Sequence, residues 1–293
     1  MSLMSLMSLK HSGQENTMNL NSIRTVARLE LKINIRNRWI LIFALVFGIL
    51  VLAISYFGLA TAAELGFQGF TRTSASLLNL VLYIVPLVSL TMGTLSLTSD
   101  KSAGELIFSQ PVTRTEILLG KILGLFAAVL AASLLGFGVA GLVIAARAGT
   151  EGLLRYPLLV VLALALALVF LCLSAAVALV CRRKPVAFGL ALFVWFFFVL
   201  FYDLLVIGVT FVLPERTANI FLFASLFGNP VDLVRVASLI VLNGEQIFGP
   251  AGAALVRFLG GNSASIALLL AALLFWAVAP LVLARRLLNR QDI

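Results

Sequence analysis

The sequence predicts an all-α integral membrane protein. It has six transmembrane helices, an amphipathic elbow helix before the first, and a short cytoplasmic coupling helix between the second and third. Three observations predict this class. Of 293 residues, 62% are hydrophobic and only 11% are charged, where soluble domains average roughly 45–50% and about 25%. Six apolar runs are each long enough to cross ~30 Å of hydrocarbon at ~1.5 Å per helical residue. Lys and Arg are also shared unequally between the two sets of loops those runs define.

The same composition excludes a soluble enzyme, a secreted disulfide scaffold and a disordered regulator. The net charge of +9 does not point to nucleic acid, because no basic stretch is interleaved with an aromatic platform. A β-barrel is disfavoured because the runs are continuous and do not alternate apolar with polar.

Residues 1–17 begin with Met-Ser-Leu three times over. They read as a tag or an overlong start, with Met18 as the native start, and the stretch contains His11, the single histidine of the chain. Residues 18–38 form the elbow. Arg24, Arg28, Lys32 and Arg36 recur every fourth residue and form a cationic stripe. Leu20, Ile23, Ala27, Leu31 and Ile35 form an apolar stripe beside it. This is the pattern of a helix lying in the membrane surface, basic groups toward anionic headgroups. Ordinary positive-inside flanking charge is the plainer reading.

Residues 39–293 form the membrane domain. The predicted spans are Trp39 to Ala60, Ala75 to Leu97 (interrupted by Pro86), Ile117 to Ala146, Pro157 to Val180, Ala187 to Leu213 and Ala264 to Ala284. With six spans both termini share a side. That side holds fifteen Lys and Arg, the other only six, so both termini are expected in the cytoplasm of a bacterial inner membrane. Two connections stand out. One is the cytoplasmic segment 99–116. The other is the outer segment 214–263, whose apolar patches Ile220 to Phe227 and Val231 to Leu242 are too short to span. They read as interfacial or re-entrant helices, with Pro230 at a helix start where its missing N–H costs nothing.

The cytoplasmic segment carries the functional signal. A short helix, Glu105 to Ser109, is expected to end before Pro111, which biases Gln110 away from helical angles. Thr113 then caps the next helix, and Glu116 three residues on completes a capping box. A short surface helix joined rigidly to two spans can transmit force. An ordinary interhelical loop is the alternative.

Residue by residue, the segment resembles the coupling region of type-two ABC exporter permeases. The resemblance rests on Asp100, on Gly104-Glu105-Leu106, on Pro111-Val112-Thr113-Arg114, and on Gly120-Lys121 at the start of the third span. It assigns ATPase coupling to Asp100, Gly104, Glu105, Leu106, Gln110, Pro111 and Arg114. A narrower similarity is to the permeases of nitrous-oxide reductase maturation. It is carried by Ala27-Arg28-Leu29-Glu30-Leu31, Arg36-Asn37-Arg38-Trp39, Tyr202-Asp203-Leu204-Leu205 and Asn229-Pro230-Val231-Asp232-Leu233-Val234-Arg235. It implies a homodimeric permease carrying two copies of a cytoplasmic NosF-like ABC ATPase, with a periplasmic NosD-like protein outside. Such a system supports the copper centres of nitrous-oxide reductase. A permease exporting a drug, lipid or polysaccharide would share the coupling segment.

This chain has no Gly-rich phosphate loop ending in Gly-Lys-Ser/Thr; Gly120-Lys121-Ile122 lacks the spacing and the hydroxyl. ATP and Mg are therefore expected on the partner ATPase, with no cofactor and no metal bound here. Asp203 is the one acidic residue well inside a predicted span, where a carboxylate costs ~2.5–3.5 kcal/mol. Either it faces a dimer cleft, proton or substrate, or it makes a structural bond to a neighbouring helix. Tyr202 beside it reads as a packing or interfacial aromatic. Met92 is a third candidate for a translocation path, yet one Met with Cys172 and Cys181 makes no copper path. Glycines 120, 124, 136, 138 and 141 permit close helix approach in the third span. Outside, Asp232 and Arg235 form either a helical ion pair or, with Asn229 and Pro230, a contact for a periplasmic partner. A membrane enzyme lacks nucleophile and base residues here. A secondary transporter would show internal repeats, and none is visible.

Overall fold

The computed structural model describes residues 19–62, 68–98, 113–148, 156–181, 183–241 and 262–290. Every regular element among them is helical. In order they are α1 (Leu20–Ile35), α2 (Arg38–Ala62), α3 (Gln68–Leu97), α4 (Arg114–Ala148), α5 (Tyr156–Val180) and α6 (Lys184–Phe196). A π turn (Phe197–Phe201) then leads into α7 (Tyr202–Val212). After these come α8 (Glu215–Ser225), a 3₁₀ turn (Leu226–Gly228), α9 (Pro230–Val241) and α10 (Asn262–Arg290).

Five helical stretches are long and apolar enough to cross a membrane: Ser76–Leu97, Arg114–Leu142, Tyr156–Val180, Lys184–Val212 and Ala264–Arg290. They coincide with the second to sixth predicted runs. The first predicted run lies within α2, Arg38–Ala62, a helix of 25 residues, to which α1 is joined at a bend of 67°. Glu215–Gly228 and Pro230–Val241 reach spanning length only together and are bent by 102°. Segment 214–263 is therefore, in its described part, a sharply bent helical hairpin. Pro86 does not break α3, which runs through it. Its missing N–H removes one ladder bond, to the carbonyl of Leu82 four residues back; one residue further along, the Trp195 indole N–H donates to the carbonyl of Tyr83 at 2.9 Å.

Helix α5 is the hub. Of its apolar window 61% is buried inside the protein, against 11% for the stretch Lys184–Val212. One core joins α2 to α5 through Phe47, Val51, Val85, Val129 and Ala167. Phe43, Phe47, Phe137 and Tyr156 form a chain of ring contacts through it, 5.4, 5.3 and 6.4 Å between centroids. A second core joins α3, α5, the π turn, α9 and α10 through Leu82, Phe170, Phe198, Leu233 and Leu269.

The third-span glycines work inside the chain. A Cβ on Gly120 would meet Val26 at 2.6 Å, and one on Gly124 would meet the Ala27 carbonyl at 2.5 Å, so α1 lies almost on the α4 backbone. Gly136 faces Phe47, Gly141 faces Tyr156, and Gly138 faces open space. The face of α1 buried against the protein carries Ile23, Glu30 and Asn34, while Leu20 and Ile35 of the predicted apolar stripe are exposed on the protein surface. The four cations of the predicted stripe are exposed. Cys172 and Cys181 are free thiols.

Candidate functional site

The outer residues singled out from sequence come together at the α8–α9 hairpin. Asn229 is the origin of the geometry. Pro230 occupies the first helical position of α9, and Asn229 before it accepts from Val231 N at 3.0 Å through Oδ1, a cap of the usual kind. Its Nδ2 donates twice, to Asp232 Oδ2 at 2.8 Å and to the Phe198 carbonyl at 2.9 Å. Phe198 lies in the π turn, where the wider coil disturbs the regular backbone ladder. Asn229, itself fully buried, thus ties the start of α9 to a carbonyl of that turn.

Arg235 completes the group. Its Nη1 lies 2.5 Å from Asp232 Oδ1, one helical turn away, and 3.2 Å from Asp203 Oδ2 on α7. Side-chain exposures are 27% for Arg235, 14% for Asp232 and 36% for Asp203. Two carboxylates thus share one guanidinium at the edge of the apolar region. Two more side chains fix the hairpin's tip. The Tyr202 hydroxyl donates to the Ser225 carbonyl at 2.6 Å, and the Trp276 indole donates to the Phe227 carbonyl at 3.0 Å. A Cβ on Gly228 would fall 2.2 Å from the Tyr202 oxygen, so that close approach requires glycine.

Two expectations are thereby refined. Asp203 bonds a neighbouring helix through Arg235, the structural alternative of the two. Asp232 and Arg235 do form the helical ion pair. The division into membrane candidates and outer candidates does not hold spatially, because Tyr202 and Asp203 belong with Asn229, Pro230, Asp232 and Arg235. Met92 is elsewhere, packed against the core of α2 to α5. Around the cluster, α7 presents a strongly apolar outer face, with Phe211 86% exposed.

At the other end, Asp100, Gly104, Glu105, Leu106, Gln110 and Pro111 lie outside the described residues, and so does the expected helix from Glu105 to Ser109. The joint where the chain re-enters α4 is described. Thr113 N donates to Glu116 Oε2 at 2.9 Å, and Glu116 N donates to Thr113 Oγ1 at 3.3 Å. This is the predicted capping box. Glu116 has an unforeseen third donor, Asn19 N, at 2.6 Å from Oε1. Arg114 Nη1 donates to the Leu288 carbonyl at 3.4 Å, in the last turn of α10, where carbonyls lack helical partners. Lys121 Nζ similarly donates to the Ser96 carbonyl at 3.2 Å, near the end of α3.

Sequence reasoning missed Glu30 and Asn34. Glu30 Oε1 accepts from Asn34 Nδ2 at 2.8 Å and from Ser96 Oγ. Their signal was positional, since both lie on the Ile23 face of α1. No group of three or more acidic, His or Cys residues that could hold a metal ion occurs among the described residues.

Comparison with known proteins bears on this arrangement. The family of ABC-2 family transporter proteins matches residues 24–293. A relative from Pseudomonas aeruginosa bears the name "Probable ABC transporter permease protein NosY". It is 34% identical over 275 residues, which cover 92% of this chain and 98% of the relative. A relative of the same name from Stutzerimonas stutzeri is 34% identical over 280 residues, covering 93% and 99%.

Proposed function

This chain belongs to the ABC-2 transporter family, as a multi-pass permease subunit without catalytic activity of its own, and on that premise we propose that it converts ATP hydrolysis on a separate chain into movement at the outer membrane face. In this reading the permease is a homodimer of six-span subunits in a bacterial inner membrane, with both termini cytoplasmic. Two NosF-like ATPases bind ATP and Mg and press on segment 99–116, where Asp100, Gly104, Glu105, Leu106, Gln110, Pro111 and Arg114 form the contact. The second and third spans act as levers, and a NosD-like periplasmic protein receives the motion during maturation of the copper site of nitrous-oxide reductase. Coupling of this kind requires that the ATPase contact differ between two states of the permease.

The observation that carries the reading is the similarity, along nearly the whole chain, to two relatives named NosY. The described geometry supports it. Segment 99–112 is flanked by α3 and α4, and both flanks are tied to other helices by named bonds. The absence of a copper-ligand path in the sequence favours transfer of force, or of a species other than copper.

The test is purification from membranes in mild detergent with a tag on this chain. Recovery of an ABC ATPase together with a periplasmic β-helical protein is the expected result. Recovery of an ATPase with an unrelated outer partner would shift the reading to another exporter, and recovery of neither would overturn it.

A further inference from the structure

Glu30 is a buried carboxylate on an otherwise cationic helix, only 8% exposed, and the proposed function leaves it unused. It bonds Asn34 within α1 and Ser96 in the last turn of α3. Eleven residues earlier, the backbone of Asn19 donates to Glu116 at the first turn of α4. These two anchors bracket the coupling segment. Ser96 lies just before its entry at 99, and Thr113 and Glu116 form its exit. On one helix the anchors are ~16 Å apart at ~1.5 Å rise per residue. Between them α1 is pressed into the glycine groove of Gly120 and Gly124. Lys121 closes the triangle by bonding the Ser96 carbonyl directly from α4.

We infer that α1 is a strap across the coupling segment, with Glu30 and Glu116 as positioning residues that hold α3 and α4 at a fixed separation. The inference rests on the reading of segment 99–116 as the place where an ATPase presses. A load on a loop between two helices can be absorbed by bending at either junction. Bonds to a carboxylate are the strong ones in such a setting, and shielding from water strengthens them further. With both junctions tied to one rod, the load displaces α3 and α4 together, and α1 carries it to α2 through the short Arg36-Asn37 turn. A strap of this kind acts through the oxygen acceptors of Glu30. Gln at that position keeps an acceptor in neutral form, about half as strong, and Leu removes it.

The experiment uses the permease co-purified with its ATPase and placed in lipid nanodiscs. ATP turnover is measured against the ATPase alone. In Glu30→Leu, ATPase recovery and KM for ATP are expected unchanged, while permease-dependent stimulation of kcat falls about tenfold, the factor set by one lost bond to a charged group. Glu30→Gln, with a neutral bond about half as strong, is expected about threefold below wild type. Wild-type stimulation in Glu30→Leu overturns the strap, and so does a Glu30→Gln variant as impaired as Glu30→Leu. If Glu30→Leu fails to insert, Ser96→Ala removes only the far hydroxyl; reduced stimulation supports the strap and unchanged stimulation overturns it. Failure of the wild-type chain to bind any ATPase shows in the first step, and sinks the reading of the coupling segment and the strap with it.

Discussion

Asn229→Ala tests the outer cluster most directly, because one side chain there makes three bonds and none of its atoms reaches solvent. Truncation leaves the Phe198 carbonyl, the Val231 N–H and one oxygen of Asp232 without their partners. Each buried polar group so stranded costs about 1–3 kcal/mol, and loss of the cap falls within the same range. Asp232 keeps its bond to Arg235 through the other oxygen, and its partial exposure lets water relieve it, so its share is the smallest. The total is about 3–5 kcal/mol. At about 2–4 °C per kcal/mol, the thermal midpoint falls by about 6–20 °C. Unfolding in nanodiscs, followed by circular dichroism or by thiol exposure at Cys172, reads this directly. The cycle Asn229→Ala, Asp232→Ala and the double variant isolates their shared bond and should show coupling of about 0.5–3 kcal/mol. A midpoint within about 2 °C of wild type, or a cycle with no coupling, would refute the view that Asn229 ties the hairpin to the π turn.

Two further outcomes follow from the glycines of α4. Gly124→Val places a Cβ against the α1 backbone, 2.5 Å from the Ala27 carbonyl; α1 must lift, and a destabilisation of about 1–3 kcal/mol with faster labelling of a cysteine at Ala27 is expected. Gly138→Ala meets nothing within 4 Å and should lie within about 0.5 kcal/mol of wild type; equal effects at both sites would count against the groove.

Much of the fold was legible because lipid leaves the sequence little freedom. Long apolar runs must be helices, and each of the six predicted runs lies along one helical stretch, the first of them on α2. Pro230 and the Thr113–Glu116 box are local signals whose partners lie within four residues, and both were read correctly. The seat of α1 was less legible. The groove that receives α1 is made by Gly120 and Gly124, almost a hundred residues further along the chain, and periodicity within α1 cannot register it.

The candidate site was legible in its members and not in its pairing, and the cause is the physics of membrane charge. Asp203 drew notice as a carboxylate in an apolar run. Such a group persists only if something offsets its desolvation, and the offsetting cation must be reachable from the same side of the membrane. Among the residues assigned to the outer side, Arg235 is the one that follows an acidic residue by one helical turn on a helix too short to span. That placement already argues for a hairpin folded back against the fifth span, carrying its cation to Asp203. The same requirement applied to α1 points to Glu30: a carboxylate seven residues from buried Ile23 shares its face and must find donors there. In both places the informative feature was the charge that breaks its helix's pattern, because an out-of-place charge needs a partner supplied from elsewhere in the fold.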